Sequence, residues 1–316
     1  MDKQNQIYHF PSQEMEEFSE DDFKKVEHKV EQEEAVYEKN LLSSVWLNIR
    51  RNKFALLCLI LLSIITVASI LAPLSPYDPD AMDLFNKLQP PSREHIFGTD
   101  SLGRDYFTRA LYGGRVSLKV GLFSMLVSTC FGTLFGTISG FFGGHVDSFM
   151  MRIVDICMSV PSFLLIIIIN AFVTPSITTM VFIIGMFAWM GVARIVRAET
   201  MSLKERDFVL SARMLGAGRV QIIFQHIIPN MAPSIIVAAS LSIARAILTE
   251  SSLSFLGFGV SLPMSSWGSM LQSAQEEIMT KPLLAFYPGL LILITVMSFN
   301  VLGDVLRNVL EPKMVK

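Results

Sequence analysis

The first candidate for chemistry is a glycine-rich segment, Gly98-Thr-Asp-Ser-Leu-Gly-Arg-Asp105, that nearly spells a phosphate-binding P-loop. A P-loop holds nucleotide phosphates with backbone N–H groups, a lysine and a magnesium-binding hydroxyl. Here Arg104 replaces the lysine and Asp105 replaces the serine or threonine, so the segment is predicted to be a turn. The sequence also has no nucleophile–base pair and no zinc-ligand spacing. We therefore predict a non-catalytic chain with no metal or cofactor of its own.

Polar residues inside apolar segments are the next candidates, because such groups need a partner or a polar cavity. Arg245 and Glu250 are five residues apart and so lie on different faces of a helix. Each is predicted either to line a cavity or to bond across helices, and the sequence leaves both alternatives open. Asn300 is a third candidate of this kind. Arg152 and Asp155 are three residues apart and are predicted to pair with each other along a helix.

These residues belong to an unusually apolar chain. Of its 316 residues, 51% are hydrophobic and 17% are charged, against about 25% charged in an average soluble domain. A helix needs about 20 apolar residues to cross the hydrocarbon core of a membrane. The sequence therefore predicts an all-α membrane protein with six transmembrane helices. The predicted spans are 54–72, 117–141, 150–173, 177–196, 232–255 and 284–305.

The distribution of basic residues predicts the orientation of these spans. Arg50, Arg51 and Lys53 abut the first span and place the N-terminus in the cytoplasm by the positive-inside rule. Six spans then place the C-terminus and the 197–231 loop on the same side. That loop carries five basic residues, but the 73–116 loop, predicted to be outside, also carries five. We therefore predict a multi-pass protein with both termini in the cytoplasm, although the basic residues are not concentrated on the cytoplasmic side alone.

The second span has a small residue at every fourth position, on one helix face. Helices in lipid associate through close backbone contact, which small side chains permit. The stripe is predicted to pack against another span or another subunit. Its residues are Ser124, Ser128, Gly132, Gly136 and Gly140.

The loop before the last span also has helical spacing. Apolar residues recur at helical intervals through Ser266–Lys281, which predicts an amphipathic helix resting on the membrane surface or capping a cavity. Trp267 is predicted to lie half-wet at the membrane–water interface.

The most informative segment is Phe208–Asn230, between the fourth and fifth spans. Phe208–Leu215 is predicted to be a short helix, interrupted by Gly216-Ala-Gly218. Val220–Ile228 is predicted to be a second helix that ends at Pro229. A segment that only connects two spans does not need two apolar helices separated by a glycine turn. Exposed apolar faces in such a pair predict a partner.

The segment resembles the EAA loop of binding-protein-dependent ABC permeases, with Ala212, Gly216 and Pro229 at matching positions. In that family the first helix sits in a groove of the ATPase and transmits its closure to the spans. Leu210 and Ser211 replace the usual Glu-Ala, so the expected contact shifts from charge pairing toward apolar packing. The predicted ATPase-coupling residues are Phe208, Leu210, Ser211, Ala212, Arg213, Leu215, Gly216, Ala217, Phe224, His226 and Pro229.

Further motifs narrow the resemblance. His95–Asp105, Met151–Asp155, Leu253–Gly259, Ser266–Gly268 and Asn300–Asp304 occur in the order found in the C-type permease of oligopeptide/dipeptide/nickel importers. The resemblance covers about residues 45–316. It implies a type I ABC importer (MetI-like) fold in the bacterial cell membrane.

The resemblance also implies partners. These are a homologous B-type permease, two ABC ATPase subunits that carry ATP and Mg²⁺, an extracytoplasmic substrate-binding protein and membrane lipid, with no nucleic acid. The implied substrate is an oligopeptide or dipeptide, with nickel as the alternative. An ion-driven secondary transporter is the less favoured class, because we find no inverted repeat and no midplane ion ligands. The translocation-path candidates are Arg245, Glu250 and Asn300.

The N-terminal tail falls outside the resemblance. Residues 1–40 carry twelve acidic and five basic side chains, a net charge of −7 in a chain whose total is −2. Such a polar segment cannot bury a core, so it is predicted to be a partly disordered cytoplasmic tail over 1–45, with a short amphipathic helix as the alternative. The first transmembrane helix and an extracytoplasmic loop are assigned to 46–115. A five-helix permease core is assigned to 116–316, with its EAA loop at 200–231.

Overall fold

The computed structural model describes residues 43–174, 176–260 and 263–310, and the acidic tail predicted for the N-terminus lies outside the described residues up to residue 42. Within these ranges the regular elements are helical and no β-strand occurs. Among the described residues, five helices are long and apolar enough to cross a membrane, and a bent pair makes a sixth span if it counts as one. The helices are α1 (43–51), α2 (Lys53–Ile70), α3 (Tyr106–Phe142), α4 (Gly144–Met158), α5 (Ser162–Phe172), α6 (Ile177–Leu203), α7 (Asp207–Met214), α8 (Arg219–Gln221), α9 (Ile228–Asn230), α10 (Ala232–Phe255), α11 (Trp267–Ala274) and α12 (Leu283–Leu310).

The third predicted span was wrong as a single helix. The chain over 150–173 belongs to α4 and α5, which are bent by 73° at the break between them. Pro161 has no N–H to donate and disfavours helical backbone at Val160, so a helix ends just before it. α4 and α5 therefore approach the other helices in different directions and leave an irregular backbone segment between them.

The glycine-rich turn before α3 is built by the residues that depart from the P-loop pattern. Gly98 and Gly103 both have positive φ, which the turn requires. The Asp100 carboxylate accepts from the Arg104 N–H at 3.0 Å and from the Arg104 Nε at 2.8 Å. Asp105 accepts from the third residue of α3 at 2.7 Å and so caps that helix. The predicted turn is present.

The small-residue stripe of α3 packs against α6 of the same chain. A Cβ added to Gly136 would lie 2.5 Å from the Ala193 carbonyl oxygen, and one added to Gly140 would lie 2.7 Å from the Arg197 carbonyl oxygen. The Ser124 hydroxyl donates to a carbonyl of α6 at 3.2 Å. Backbone-to-backbone contact of this kind explains why no larger side chain occurs along this face. All five stripe residues, Ser124, Ser128, Gly132, Gly136 and Gly140, are buried.

The prediction that Trp267 lies half-wet at a membrane surface was wrong, because its side chain is fully buried. Its indole Nε1 donates to the Ala110 carbonyl of α3 at 2.9 Å. Gly113 and Gly114 of α3 make room for the ring. The helix α11 also ends at Ala274, earlier than the amphipathic pattern predicted. It is therefore part of the packed interior with α3, α10 and α12 rather than a surface helix.

Candidate functional site

The loop between α6 and α10 begins with α7, which ends in a tight glycine turn. Gly216 has φ +86°, and its N–H donates to the Arg213 carbonyl at 3.1 Å. The Ala217 N–H donates to the Ala212 carbonyl at 3.0 Å. This pair of bonds is a Schellman cap, which needs a left-handed residue and so favours glycine. A Cβ at Gly216 would meet nothing within 4 Å, so the backbone angle rather than crowding selects the glycine.

One face of this loop is anchored to the transmembrane helices. Val209 of α7 is fully buried in a cluster with Val196 and Leu203 of α6. Ile222 and Ile227, from the second half of the loop, complete the same cluster. Burial of several large aliphatic side chains makes the loop a packed unit rather than a flexible connector.

The opposite face of the loop is apolar and exposed. Met214 is 87% exposed and Leu215 is 89% exposed, and Val220 and Phe224 are exposed on the same unit. Ala212 was predicted to form part of the packing contact with a partner, but it is buried and faces inward. Of the other predicted coupling residues, Phe208, Leu210, Ser211, Arg213, Gly216 and Pro229 are exposed, and Ala217 and His226 are half-buried.

Two exposed residues of this face were not among the predicted coupling residues. Met214 lies four residues after Leu210, a spacing that places both on one helix face and would have identified it. Val220 lies just beyond the glycine turn, and no sequence spacing relates it to α7.

The second half of the loop is helical from Arg219 to Asn230, with a wide π-helical turn over Ile222–Ile227. The helix continues one residue past the predicted end at Pro229, to Asn230, and the chain turns at Met231. A proline ring collides with the carbonyl four residues earlier in a regular α-helix, and the wide turn lies immediately before Pro229. The Asn230 side chain donates to the His226 carbonyl at 2.7 Å.

A polar cluster joins the end of α3 to α4 and α6 near this loop. The Asp147 carboxylate forms a two-point ion pair with Arg197 of α6, in which the Nη2 contact is 2.5 Å. The Ser139 hydroxyl donates to the same carboxylate at 2.5 Å. Lys204, just after α6, donates to the Gly140 carbonyl at 3.2 Å. These bonds hold the helix that leads into the loop against the α3–α4 turn.

Glu250 lies in the interior, where it bonds across helices. Its carboxylate accepts from the Ser117 hydroxyl of α3 at 2.9 Å and from the Ser254 hydroxyl at 2.7 Å. The Ser117 hydroxyl in turn accepts from the Trp267 N–H of α11 at 3.3 Å, and Ser266 contacts Ser254 at 3.3 Å. Glu250 is fully buried. It therefore connects α3, α10 and α11.

Arg245 has the opposite surroundings, because it lines a cavity of about 460 Å³. The walls are the α4–α5 break over Met158–Ser162, one side of α6 and the face of α10 that carries Ser242, Arg245 and Thr249. Asn300 is exposed on α12 and does not line this cavity. The structure thus separates the three path candidates: Arg245 at the cavity, Glu250 in the interior and Asn300 elsewhere on the surface.

The predicted Arg152–Asp155 pair is not formed. Asp155 instead accepts from Arg194 of α6 at 2.6 Å, so its carboxylate joins α4 to another helix. Both side chains of that pair are about half exposed. The pair is therefore a peripheral contact of small energetic weight.

The sequence is similar to those of known proteins over most of its length. Residues 132–316 match the family described as binding-protein-dependent transport system inner membrane component, and residues 40–91 match the N-terminal TM domain of oligopeptide transport permease C. The chain is 38% identical to the oligopeptide transport system permease protein OppC of Bacillus subtilis over 278 residues, covering 88% of this chain and 91% of that one.

Two further relatives are named for other substrates. The dipeptide transport system permease protein DppC of Alkalihalophilus pseudofirmus is 40% identical, covering 84% of this chain and 88% of that one. The nickel transport system permease protein NikC of Escherichia coli K12 is 38% identical, covering 87% of this chain and 97% of that one. With the helical membrane architecture described above, these matches show that the chain belongs to the family of binding-protein-dependent transport system inner membrane components.

Proposed function

We propose that the chain is the C-type permease subunit of an importer for oligopeptides or dipeptides and that its 204–231 loop docks on an ATPase subunit. The observation that carries the docking proposal is the pair of nearly fully exposed side chains, Met214 and Leu215, at the tip of a loop that is firmly packed on its other face. An exposed apolar tip on a rigid base is typical of a surface that a partner covers.

Four kinds of partner follow from this proposal. A homologous B-type permease completes the translocation path, and two ATPase subunits bind the ATP and Mg²⁺ and perform the hydrolysis. A substrate-binding protein delivers the substrate on the opposite side. The loop and both termini then face the cytoplasm, and the Gly98–Asp105 turn and α11 lie toward the outside.

The transmission of force follows the contacts of the loop. Closure of the ATPases moves the tip at Met214 and Leu215. The buried cluster around Val209 passes this displacement to α6, and the Asp147–Arg197 pair passes it to α4. Because α4 ends at the break that borders the Arg245 cavity, movement of the loop changes the shape of that cavity.

A nickel importer is the second candidate function, because a nickel permease is 38% identical to this chain over most of both lengths. Within the described part of the chain, no group of three or more His, Cys, Asp or Glu side chains is placed to hold a metal ion. That absence decides little, since the binding protein makes the first selection of substrate. Peptide import is the main proposal because it is the commoner function in this family, whose oligopeptide and dipeptide permeases are 38% and 40% identical to this chain.

The docking proposal is tested by changing Leu215 to Asp in the complete importer reconstituted in vesicles. We expect import per ATP hydrolysed to fall about tenfold, because a charge at the tip opposes burial in an apolar groove. The matched control is Gln221→Asp, on the exposed side of the second half of the loop. Lys204→Asp, outside the exposed tip, is not a neutral control, because Lys204 bonds to α3. Wild-type coupling in the Leu215→Asp variant would contradict the proposal.

The substrate is tested separately, by uptake of labelled peptides and of Ni²⁺ in cells that lack the chain and in cells that express it. Restored peptide uptake supports the main proposal. Restored Ni²⁺ uptake alone would replace it with the second.

A further inference from the structure

The cavity beside the α4–α5 break contains a single charged group among the described residues that line it, the guanidinium of Arg245. No Asp, Glu, His or Cys side chain is among those lining residues. Arg245 lies near the middle of α10, a helix long enough to span a membrane. A charge at that depth is costly and is retained where a pathway or ligand uses it.

Arg245 is not neutralised within the described part of this chain. No carboxylate there lies within ion-pair distance of its guanidinium, although Glu250 is only five residues away on the same helix. Arg194 and Arg197, the other arginines of the neighbouring α6, each have a carboxylate partner. The positive charge of the cavity is therefore available to a group from outside the chain.

Among the polar groups of the cavity, the Arg245 guanidinium is the one that favours a small oxygen anion. Ser242 and Thr249 lie on the same face of α10 as Arg245, one turn before and one turn after it, and all three line the cavity. The rest of the wall is mainly apolar. Both hydroxyls already donate to backbone carbonyls of α10, Ser242 to Ala238 and Thr249 to Arg245, each at 2.8 Å. The guanidinium therefore supplies the N–H donors, and its planar fork matches a carboxylate, which accepts two parallel N–H bonds.

We propose that Arg245 is a binding site in the translocation path for a carboxylate of the passing substrate, and that this site selects carboxylate-bearing peptides over free divalent cations. This inference rests on the proposed function and specifies its substrate class. A free metal ion would meet a positive charge and no anionic ligand in this cavity. A peptide carries a terminal carboxylate that the site can hold and then release as the helices move.

The test uses the complete importer in vesicles, with its binding protein saturated, so that the preference of the binding protein does not enter the turnover rate. The probes are a hexapeptide without acidic side chains and the same hexapeptide with a C-terminal amide. Turnover is measured for wild type, Arg245→Gln and Arg245→Lys. Arg194→Gln is the matched control, since it removes an arginine from the same bundle without touching the cavity.

We expect Arg245→Gln to lower turnover of the free-acid peptide about tenfold and that of the amide less than twofold. Arg245→Lys keeps at least half of the free-acid rate, and Arg194→Gln leaves both rates unchanged. An equal loss for both peptides in Arg245→Gln would overturn the inference and assign Arg245 to packing or to a pair with the partner permease. No loss for either peptide would also overturn it. A wild-type importer that moves neither peptide would overturn the proposed function itself, which separates the two failures.

Discussion

The two charged residues of α10 define two contrasting regions of the molecule. Glu250 lies in a closed region, where helices α3, α10 and α11 meet and hydroxyls surround the carboxylate. Arg245 lies in an open region, where a broken span leaves a cavity and the guanidinium keeps its hydrogen-bonding capacity. The exposed tip of the 204–231 loop is open in the same sense. In the closed region, polar side chains have partners within the chain and hold the helices together. In the open regions, the side chains remain exposed, where the proposed function places another molecule.

The comparison predicts that substitutions in the closed region reduce stability and that those in the open regions reduce coupling or transport. The largest stability effect is expected for Glu250→Leu. This change leaves the Ser117 and Ser254 hydroxyls without their acceptor, which costs about 2–4 kcal/mol. The measurement is the thermal unfolding midpoint of the purified complex in detergent.

Glu250→Gln is the control for this prediction, since it keeps the size of the side chain and an oxygen acceptor. We expect it to lose less than half as much stability as Glu250→Leu. If the Glu250→Leu variant unfolds at the wild-type temperature, the hydrogen bonds from serine hydroxyls to Glu250 do not hold α3, α10 and α11 together.

A smaller effect is expected at the α3–α6 contact. Gly136→Ala introduces a Cβ 2.5 Å from the Ala193 carbonyl oxygen, so the helices must separate locally at a cost of about 1–3 kcal/mol. Gly191→Ala, in the same helix pair, is the matched control because its Cβ meets nothing within 4 Å. Thermal unfolding of the two variants compares them directly, and equal midpoints would show that close packing at this contact is not required.

The next effect concerns the loop. Gly216→Ala forces a side chain onto a backbone with φ +86°, which costs about 1–2 kcal/mol and opposes the Schellman turn. Because the turn positions the exposed tip, we expect import per ATP hydrolysed to fall severalfold while the amount of chain in the membrane stays the same. The assay is coupled import and ATP hydrolysis in vesicles.

Gly218→Ala provides the control, with φ −69° and no neighbour within 4 Å of the added Cβ. It is expected to couple like the wild type. Loss of coupling in both variants would point to the sequence of the turn rather than to its left-handed residue.

The smallest stability effect is expected for Arg245→Gln. Its guanidinium has no ion-pair partner within the described part of the chain, so we expect a change of less than about 0.5 kcal/mol in unfolding free energy. A large loss in the same unfolding measurement would place Arg245 in the closed region and weaken the contrast with Glu250.

Local features of the fold were predictable where one residue type imposes the outcome. Gly216 ends α7 because a left-handed residue is needed there, and Asp105 caps α3. The apolar runs also predicted the spanning helices, although α4–α5 was predicted as one. Pro161 indicates that break, but the apolar residues on both sides of it are together long enough to be predicted as one span.

Other features depend on residues distant in sequence. Tryptophan residues near the ends of spans are typical of the membrane–water interface. Trp267 is buried instead, because Gly113 and Gly114, more than 150 positions earlier, leave space for its ring. Asp155 has an arginine one helical turn away and still pairs with Arg194 of α6, which is 39 positions away in the sequence. Periodicity within a segment cannot reveal such neighbours.

The amino-acid pattern alone predicts a helical membrane protein with a glycine-broken apolar loop, since helix length, charge depletion and left-handed turns are local properties. Which of the two charges on α10 is buried and which faces a cavity depends on how the helices pack together. Arg245 and Glu250 are five residues apart on α10. The neighbouring helices, rather than the intervening sequence, supply the Ser117 hydroxyl to Glu250 and the open space to Arg245.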